Sequence, residues 1–229
     1  MFKTYFMGKT RKPNHVIITG TTGMVGEGVL IECLKSSEVD SILVINRKPC
    51  GYADPKLREI IHTDFFDFSS IESQLSGYNA CFFCLGITSV GAADDVYYKM
   101  TYTLTLHVAE TLSRLNPDMT FCYVSGSGTN ANGRLNWQKV KGKTENDLLK
   151  LPFEQVYNFR PGFIKPIKEQ KYAHKFYKYI NWIFPIGRAI SANGFCTMQE
   201  LGNAMINVLS HNNERKVVEG KEIIQLAGE

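Results

Sequence analysis

Apolar residues fall along this chain in two alternating rhythms. Short unbroken runs at His15–Thr19, Ser41–Ile45, Ala80–Leu85, Thr120–Val124 and Val156–Phe159 predict strands buried on both faces, and Ile60–His62 predicts a shorter one. Between them the apolar positions return every three or four residues. Val25, Val29 and Cys33, with Leu30 and Leu34, predict a helix over Met24–Lys35. The same spacing predicts helices over Asp94–Leu115, which stops before Asn116-Pro117, over the Lys-rich Trp137–Leu151 and over Thr197–Ser210. A short helix is expected over Ser69–Ser76, with Gly77 near its end, and an edge strand over Lys221–Leu226. Strands that alternate with helices need crossover connections, so the sheet should be mostly parallel and doubly wound, an α/β fold. With neither internal repeats nor a low-complexity linker, residues 1–229 read as a single domain. Residues 1–14 form a basic, polar leader, and 163–229 form a substrate-side C-terminal part.

The first strand is followed by the most informative stretch. Val16-Ile17-Ile18 runs into a turn carrying Gly20, Gly23 and Gly26, and a helical pattern begins at once. Strand, glycine-rich turn and helix in that order build a seat for a dinucleotide pyrophosphate. Gly20 permits the turn, Gly23 lets backbone N–H groups approach phosphate, and Gly26 lets the helix lie close to the strand. Thr22, Met24 and Val25 complete the cradle. The second strand ends Ile45-Asn46-Arg47-Lys48, without the carboxylate that would accept from a ribose 2′-hydroxyl. Arg47 offers a planar donor fork for a phosphate, Lys48 adds charge, and Asn46 closes the strand. NADP is therefore favoured over NAD. After the fourth strand comes Cys84-Leu85-Gly86, where Gly86 would let the backbone approach the cofactor's ribose.

Composition narrows the picture. The 229 residues are 44% apolar and 21% charged, as in ordinary globular proteins, with a net charge of +4. That balance, with a pI of about 8.6, falls short of a dedicated nucleic-acid binder and suits an anionic cofactor. No run approaches the ~20 apolar residues of a membrane span, and the first seven residues lack a signal-peptide core. The expectation is a cytoplasmic protein with a small-molecule substrate and no nucleic-acid partner. The oligomeric state stays open, a homodimer included. Cys81 and Cys84 form a C-x-x-C, but residues three apart on a strand face opposite ways, so the two thiols cannot converge. No His, Cys or carboxylate cluster has metal-ligand spacing, so no metal is expected.

The glycine turn, Val124-Ser125-Gly126-Ser127, Val140-Lys141-Gly142-Lys143-Thr144-Glu145 and Phe159-Arg160-Pro161-Gly162 together resemble the atypical short-chain dehydrogenase/reductases. Within them the chain is similar to the Tat-interacting oxidoreductase-like proteins and to bacterial proteins labelled nucleoside-diphosphate-sugar epimerases. The resemblance covers about residues 14 to 229. It implies a Rossmann fold and a nicotinamide cofactor, and says little about substrate. It assigns Asp64 to the adenine amino group and Phe65 to the adenine ring; the alternative for Asp64 is a helix or turn cap. It also assigns Lys141 to the nicotinamide ribose. The family's Tyr-x-x-x-Lys places both side chains on one helix face, but here Trp137 stands at the tyrosine position. An indole N–H does not titrate and cannot act as general acid or base. The Asn frequent on the family's long helix is replaced by Thr101. Tyr97, Tyr98, Ser125 or Ser127 could supply a proton instead, and the two serines are candidates to hold a substrate carbonyl. Alternatively, water could be the proton source, or the protein could bind NADP without turnover.

Tyr172, Phe176, Tyr179 and Ile183 would share one helical stripe, with Lys171, Lys175 and Lys178 nearby. Core packing is the plain reading, and a wall of the substrate pocket is preferred over contact with lipid. His174 reads as a surface residue.

Overall fold

The computed structural model describes residues 11–172, 183–210 and 213–228. Strands β1 (His15–Thr19), β2 (Ser41–Asn46), β3 (Leu57–Ile61), β4 (Ala80–Phe83), β5 (Thr120–Val124), β6 (Gln155–Arg160) and β9 (Val217–Glu219) form one sheet in the order β3-β2-β1-β4-β5-β6-β9. Every pairing in it is parallel, as the crossover argument predicts. A separate parallel pair joins β7 (Phe163–Lys165) to β8 (Phe195–Thr197). The chain order reverses between β1 and β4, which opens a crevice at the strand C-termini, where doubly wound sheets bind ligands.

Alternation along the strands divides the core between two faces. Val16 and Ile18 pack with Val29 and Leu30 of α1 (Met24–Lys35) and with Leu201 and Met205 of a later helix, Met198–Asn207. Ile17 points the other way, into Leu104, Val108 and Leu112 of α3 (Leu104–Leu115). Cys81 lies in the second cluster and Cys84 packs against the first, so the C-x-x-C thiols do sit on opposite faces. The expected Asp94–Leu115 helix is continuous, but it runs as α2 (Asp94–Tyr98), a π-helical turn (Lys99–Thr103) and then α3. Helix α4 spans Asn136–Leu148, α5 Ile183–Ile190, α6 Met198–Asn207 and α7 Gly220–Leu226.

Several boundaries differ from the sequence expectation. Lys221–Leu226 is not an edge strand; it lies in α7, and β9 precedes it. Ile223 and Leu226, three apart, are buried, and the Glu219 N–H donates to Glu222 at 2.8 Å, closing the helix start. Ser69–Ser76 forms only a 3₁₀ turn at Glu72–Gln74, because the stretch is too short to repay helix nucleation and opens on an Asx turn from Asp67 to the Ser69 N–H. β3 begins at Leu57 rather than Ile60; as an edge strand it admits the charged Arg58 and Glu59, which hide it from an apolar count. β4 ends at Phe83, and the chain leaves the sheet at Cys84, where Gly20 presses against it. Phe176, Tyr179, His174, Lys175 and Lys178 of the aromatic segment lie outside the described residues.

Candidate functional site

All five early strands run the same way, so their C-terminal ends bring the turns after β1, β2, β3, β4 and β5 to one crevice. The β1–α1 turn is built from its three glycines. Gly20 takes φ +75°, and a Cβ there would lie 2.7 Å from the Cys84 carbonyl oxygen. A Cβ at Gly26 would lie 2.3 Å from the Gly20 carbonyl oxygen, so the helix seats directly on the turn. Gly23 differs: its Cβ would meet only the Gly20 oxygen at 3.4 Å, and the residue is exposed. Gly23 caps α1 in an extended conformation with no side chain on the first-turn amides. The N–H groups of Met24, Val25 and Gly26 thus have no intrahelical acceptor, and the helix dipole adds positive potential there. Thr22 is exposed beside them.

The adjacent cavity, about 220 Å³, is lined by Arg47 from the end of β2, by Thr63, Asp64, Phe65 and Phe66 after β3, and by Leu85 and Gly86 after β4. Sequence reasoning missed Thr63, Phe66 and Ile87 of its wall, together with Met100 and Leu104 of the long helix. Their i, i+4 spacing is the signal that could have found the last two. Asp64 accepts the Phe66 N–H at 2.9 Å, so it does cap the turn. Phe65 is 5% exposed and gives most of its ring to His62 and Phe68, whereas Phe66 is only half-buried. Asn46 is buried and works from behind: its amide donates to the Thr21 hydroxyl at 2.6 Å and to Glu59 at 3.2 Å. Lys48 is exposed next to Arg47. Burial pushes the Cys84 thiol up to about 12, which removes it from acid–base chemistry near neutrality. A larger cavity, about 490 Å³, lies at the opposite strand ends among Arg11, Asn14, Asn79 and Asp118, away from these turns.

The third group sits past β5. Thr129 donates to the Gly126 carbonyl oxygen at 2.8 Å, so its hydroxyl can only accept from Ser125, 3.1 Å away. The Ser125 proton is thereby committed to the loop, and Ser125 is buried. Ser127 is exposed and is held by its backbone N–H, which donates to Pro161 at 2.9 Å. Trp137 and Lys141 lie one turn apart on α4. The Trp137 ring covers the loop, 3.4 Å from where a Gly128 Cβ would stand. The Lys141 ammonium lies 5.4 Å from the Tyr123 ring centroid. Burial pushes Lys141 down to about 8, against the pull of Glu145. Glu145, 2% exposed, holds Arg160 at 2.5 Å and so ties α4 to the end of β6. Thr101 is buried within the π-helical turn, a distortion frequent at functional sites. Tyr97 is buried and Tyr98 is exposed, its ring tilted against Tyr102. Among the described residues no group of three or more His, Cys, Asp or Glu side chains could hold a metal, and no helix is long and apolar enough to cross a membrane.

Comparison with known proteins shows the fold and the family. "Protein FMP52-2, mitochondrial" from Scheffersomyces stipitis is 30% identical over 156 residues, 67% of this chain and 67% of the relative. The fold is similar to uronate dehydrogenase from Agrobacterium tumefaciens, with a TM-score of 0.66, 14% identity and coverage of 91% of this chain and 76% of that one. It is also similar to the UDP-glucuronic acid 4-epimerase from Bacillus cereus in complex with NAD, with a TM-score of 0.65, 14% identity and coverage of 92% and 80%. The cytoplasmic expectation does not stand: relatives from S. stipitis, Debaryomyces hansenii and Eremothecium gossypii are all named mitochondrial. A charge and hydropathy count could not have separated the two compartments. Residues 16–154 match the NAD dependent epimerase/dehydratase family, and the chain belongs to that family.

Proposed function

We propose that this protein binds NADP(H) and works as an oxidoreductase or epimerase-like protein on a small carbonyl or sugar-nucleotide-like substrate. The observation that carries the reading is the contrast among three glycines: Gly20 and Gly26 are locked against backbone, while Gly23 leaves open space over an uncapped helix start. Those residues fit a pyrophosphate. When bound, the nicotinamide would accept or deliver hydride. The chain's own residues then divide the work. Thr22 and the amides of Met24, Val25 and Gly26 hold the pyrophosphate. Arg47 and Lys48 meet the 2′-phosphate. Asp64, Phe65, Leu85 and Gly86 house the adenosine, and Lys141 holds the nicotinamide ribose. Ser127, whose hydroxyl is exposed, is the better substrate contact; Ser125 shapes the loop. The mitochondrial names of the relatives support the same location for this chain.

Calorimetry with Arg47→Ala tests the cofactor choice. A charged hydrogen bond contributes about 1.5–3 kcal/mol, so NADPH should weaken roughly ten- to a hundredfold and NADH little. Equal weakening, or none, removes the phosphate role.

Trp137 favours a second reading, a catalytically weak NADP-binding sensor or partner-binding protein. Trp137→Tyr, assayed with NADPH against a panel of carbonyls, separates the two. Turnover gained supports a reductase that lost its proton donor. Tight NADPH binding with no turnover in either form supports the binding protein.

A further inference from the structure

Glu27 is fully buried in the first turn of the cofactor helix, and among the described residues no cationic side chain lies within ion-pair distance. Burying a carboxylate unpaired is costly unless hydrogen bonds satisfy it. Three donors do so. The Tyr52 hydroxyl donates at 2.8 Å, the Lys171 backbone N–H at 2.7 Å and the Tyr172 backbone N–H at 2.8 Å. Burial and the bond to Glu27 hold the phenol proton on Tyr52 far into the alkaline range. The same strap is fastened twice more. Gln170 donates to the Met24 carbonyl oxygen at 2.5 Å, and the Lys171 ammonium donates to the Gly51 carbonyl oxygen at 2.7 Å while lying 4.2 Å from the Tyr52 ring centroid.

The stretch from Asn46 to Tyr52, in the loop between β2 and β3, is pinned at both ends. At its start Asn46 is tied to Thr21 and Glu59, and the Cys50 N–H donates to Glu59 at 2.8 Å. At its far end Gly51 and Tyr52 are tied to the strap and to Glu27. Only Arg47, Lys48 and Pro49 stand exposed between these anchors, with Arg47 beside the cavity. We propose that Glu27 is a positioning residue whose hydrogen bonds to Tyr52 and to the 170–172 strap hold the Arg47–Lys48 segment in register for the cofactor's 2′-phosphate, so that it sets the preference for NADPH over NADH. This rests on the NADP reading above. A rigid presentation saves the ordering cost that a free loop would charge against binding.

The test titrates NADPH and NADH into wild type, Arg47→Ala, Tyr52→Phe and Glu27→Gln, with thermal melts to confirm folding. Tyr52→Phe cuts the loop tie alone. Glu27→Gln turns the acceptor for the Tyr172 N–H into an NH₂ group and loosens the strap. Both should reduce the NADPH/NADH affinity ratio about five- to twentyfold, with NADH changed less than twofold. An unchanged ratio in both, while Arg47→Ala lowers it, overturns the positioning role and leaves the NADP reading intact. Equal weakening of both cofactors overturns it too, as general loosening. A wild type that does not prefer NADPH overturns both.

Discussion

The glycine cradle makes a paired prediction that separates folding from binding. In Gly26→Ala the new methyl carbon must occupy a point 2.3 Å from the Gly20 oxygen and 2.9 Å from the Thr21 nitrogen. Both neighbours are backbone, so no side chain can swing aside. The helix must lift by roughly 1 Å to reach ordinary contact, against a core in which Val29 and Leu30 are fully buried. Overpacking of this kind costs about 1–3 kcal/mol, partly offset by up to ~1 kcal/mol of helix propensity gained over glycine. The net loss should still move the urea midpoint. Gly23→Ala meets nothing nearer than 3.4 Å and sits at an extended φ of −115°, which alanine adopts freely. Its stability cost is that of a poorer cap, within about 1 kcal/mol. The added methyl group, however, stands over the amides that would face phosphate, and NADPH affinity should fall at least about tenfold if one such charged hydrogen bond is lost. Urea unfolding and calorimetry on both variants decide the matter. A Gly26→Ala protein as stable as wild type would refute the close-packing argument, and undiminished NADPH binding by Gly23→Ala would refute the cradle.

Two further outcomes follow from buried charge. Folding lowers the Lys141 pKa to about 8 from 10.5, so the folded state gives up the proton first and stability should rise as pH climbs between those values; Lys141→Met should flatten that rise in pH-dependent unfolding, and a persistent slope would assign it elsewhere. Arg160→Ala strands Glu145 without its guanidinium, and removing one partner of a buried pair costs about 3–5 kcal/mol; a shift in the denaturation midpoint equivalent to less than ~1 kcal/mol would mean that solvent reaches the carboxylate.

The parallel sheet was legible because its signal is local. Val16-Ile17-Ile18 and Ala80–Phe83 are apolar at every position because both faces are covered, and the helices between them repeat at helical period. The cradle was legible for the same reason, since Gly20, Gly23 and Gly26 sit within one turn. β3 was blurred because an edge strand tolerates Arg58 and Glu59. Lys221–Leu226 was misread because two isoleucines in a row suit either a strand or a helix, and the deciding contact is Glu222 capping backward onto Glu219.

The sequence by itself determined the alternation of strands and helices, the mostly parallel sense of the sheet and the glycine-rich turn after β1, because each depends on residues a few positions apart. Only the folded chain decided that Ser125 spends its proton on Thr129 while Ser127 stands free, that Trp137 covers Gly128, and that Glu27 meets the backbone of Lys171 and Tyr172, 144 and 145 positions away. Hydrogen bonds at such separations leave no periodicity in the chain; they exist only once the hydrophobic faces have packed and excluded the water that would otherwise have satisfied each group.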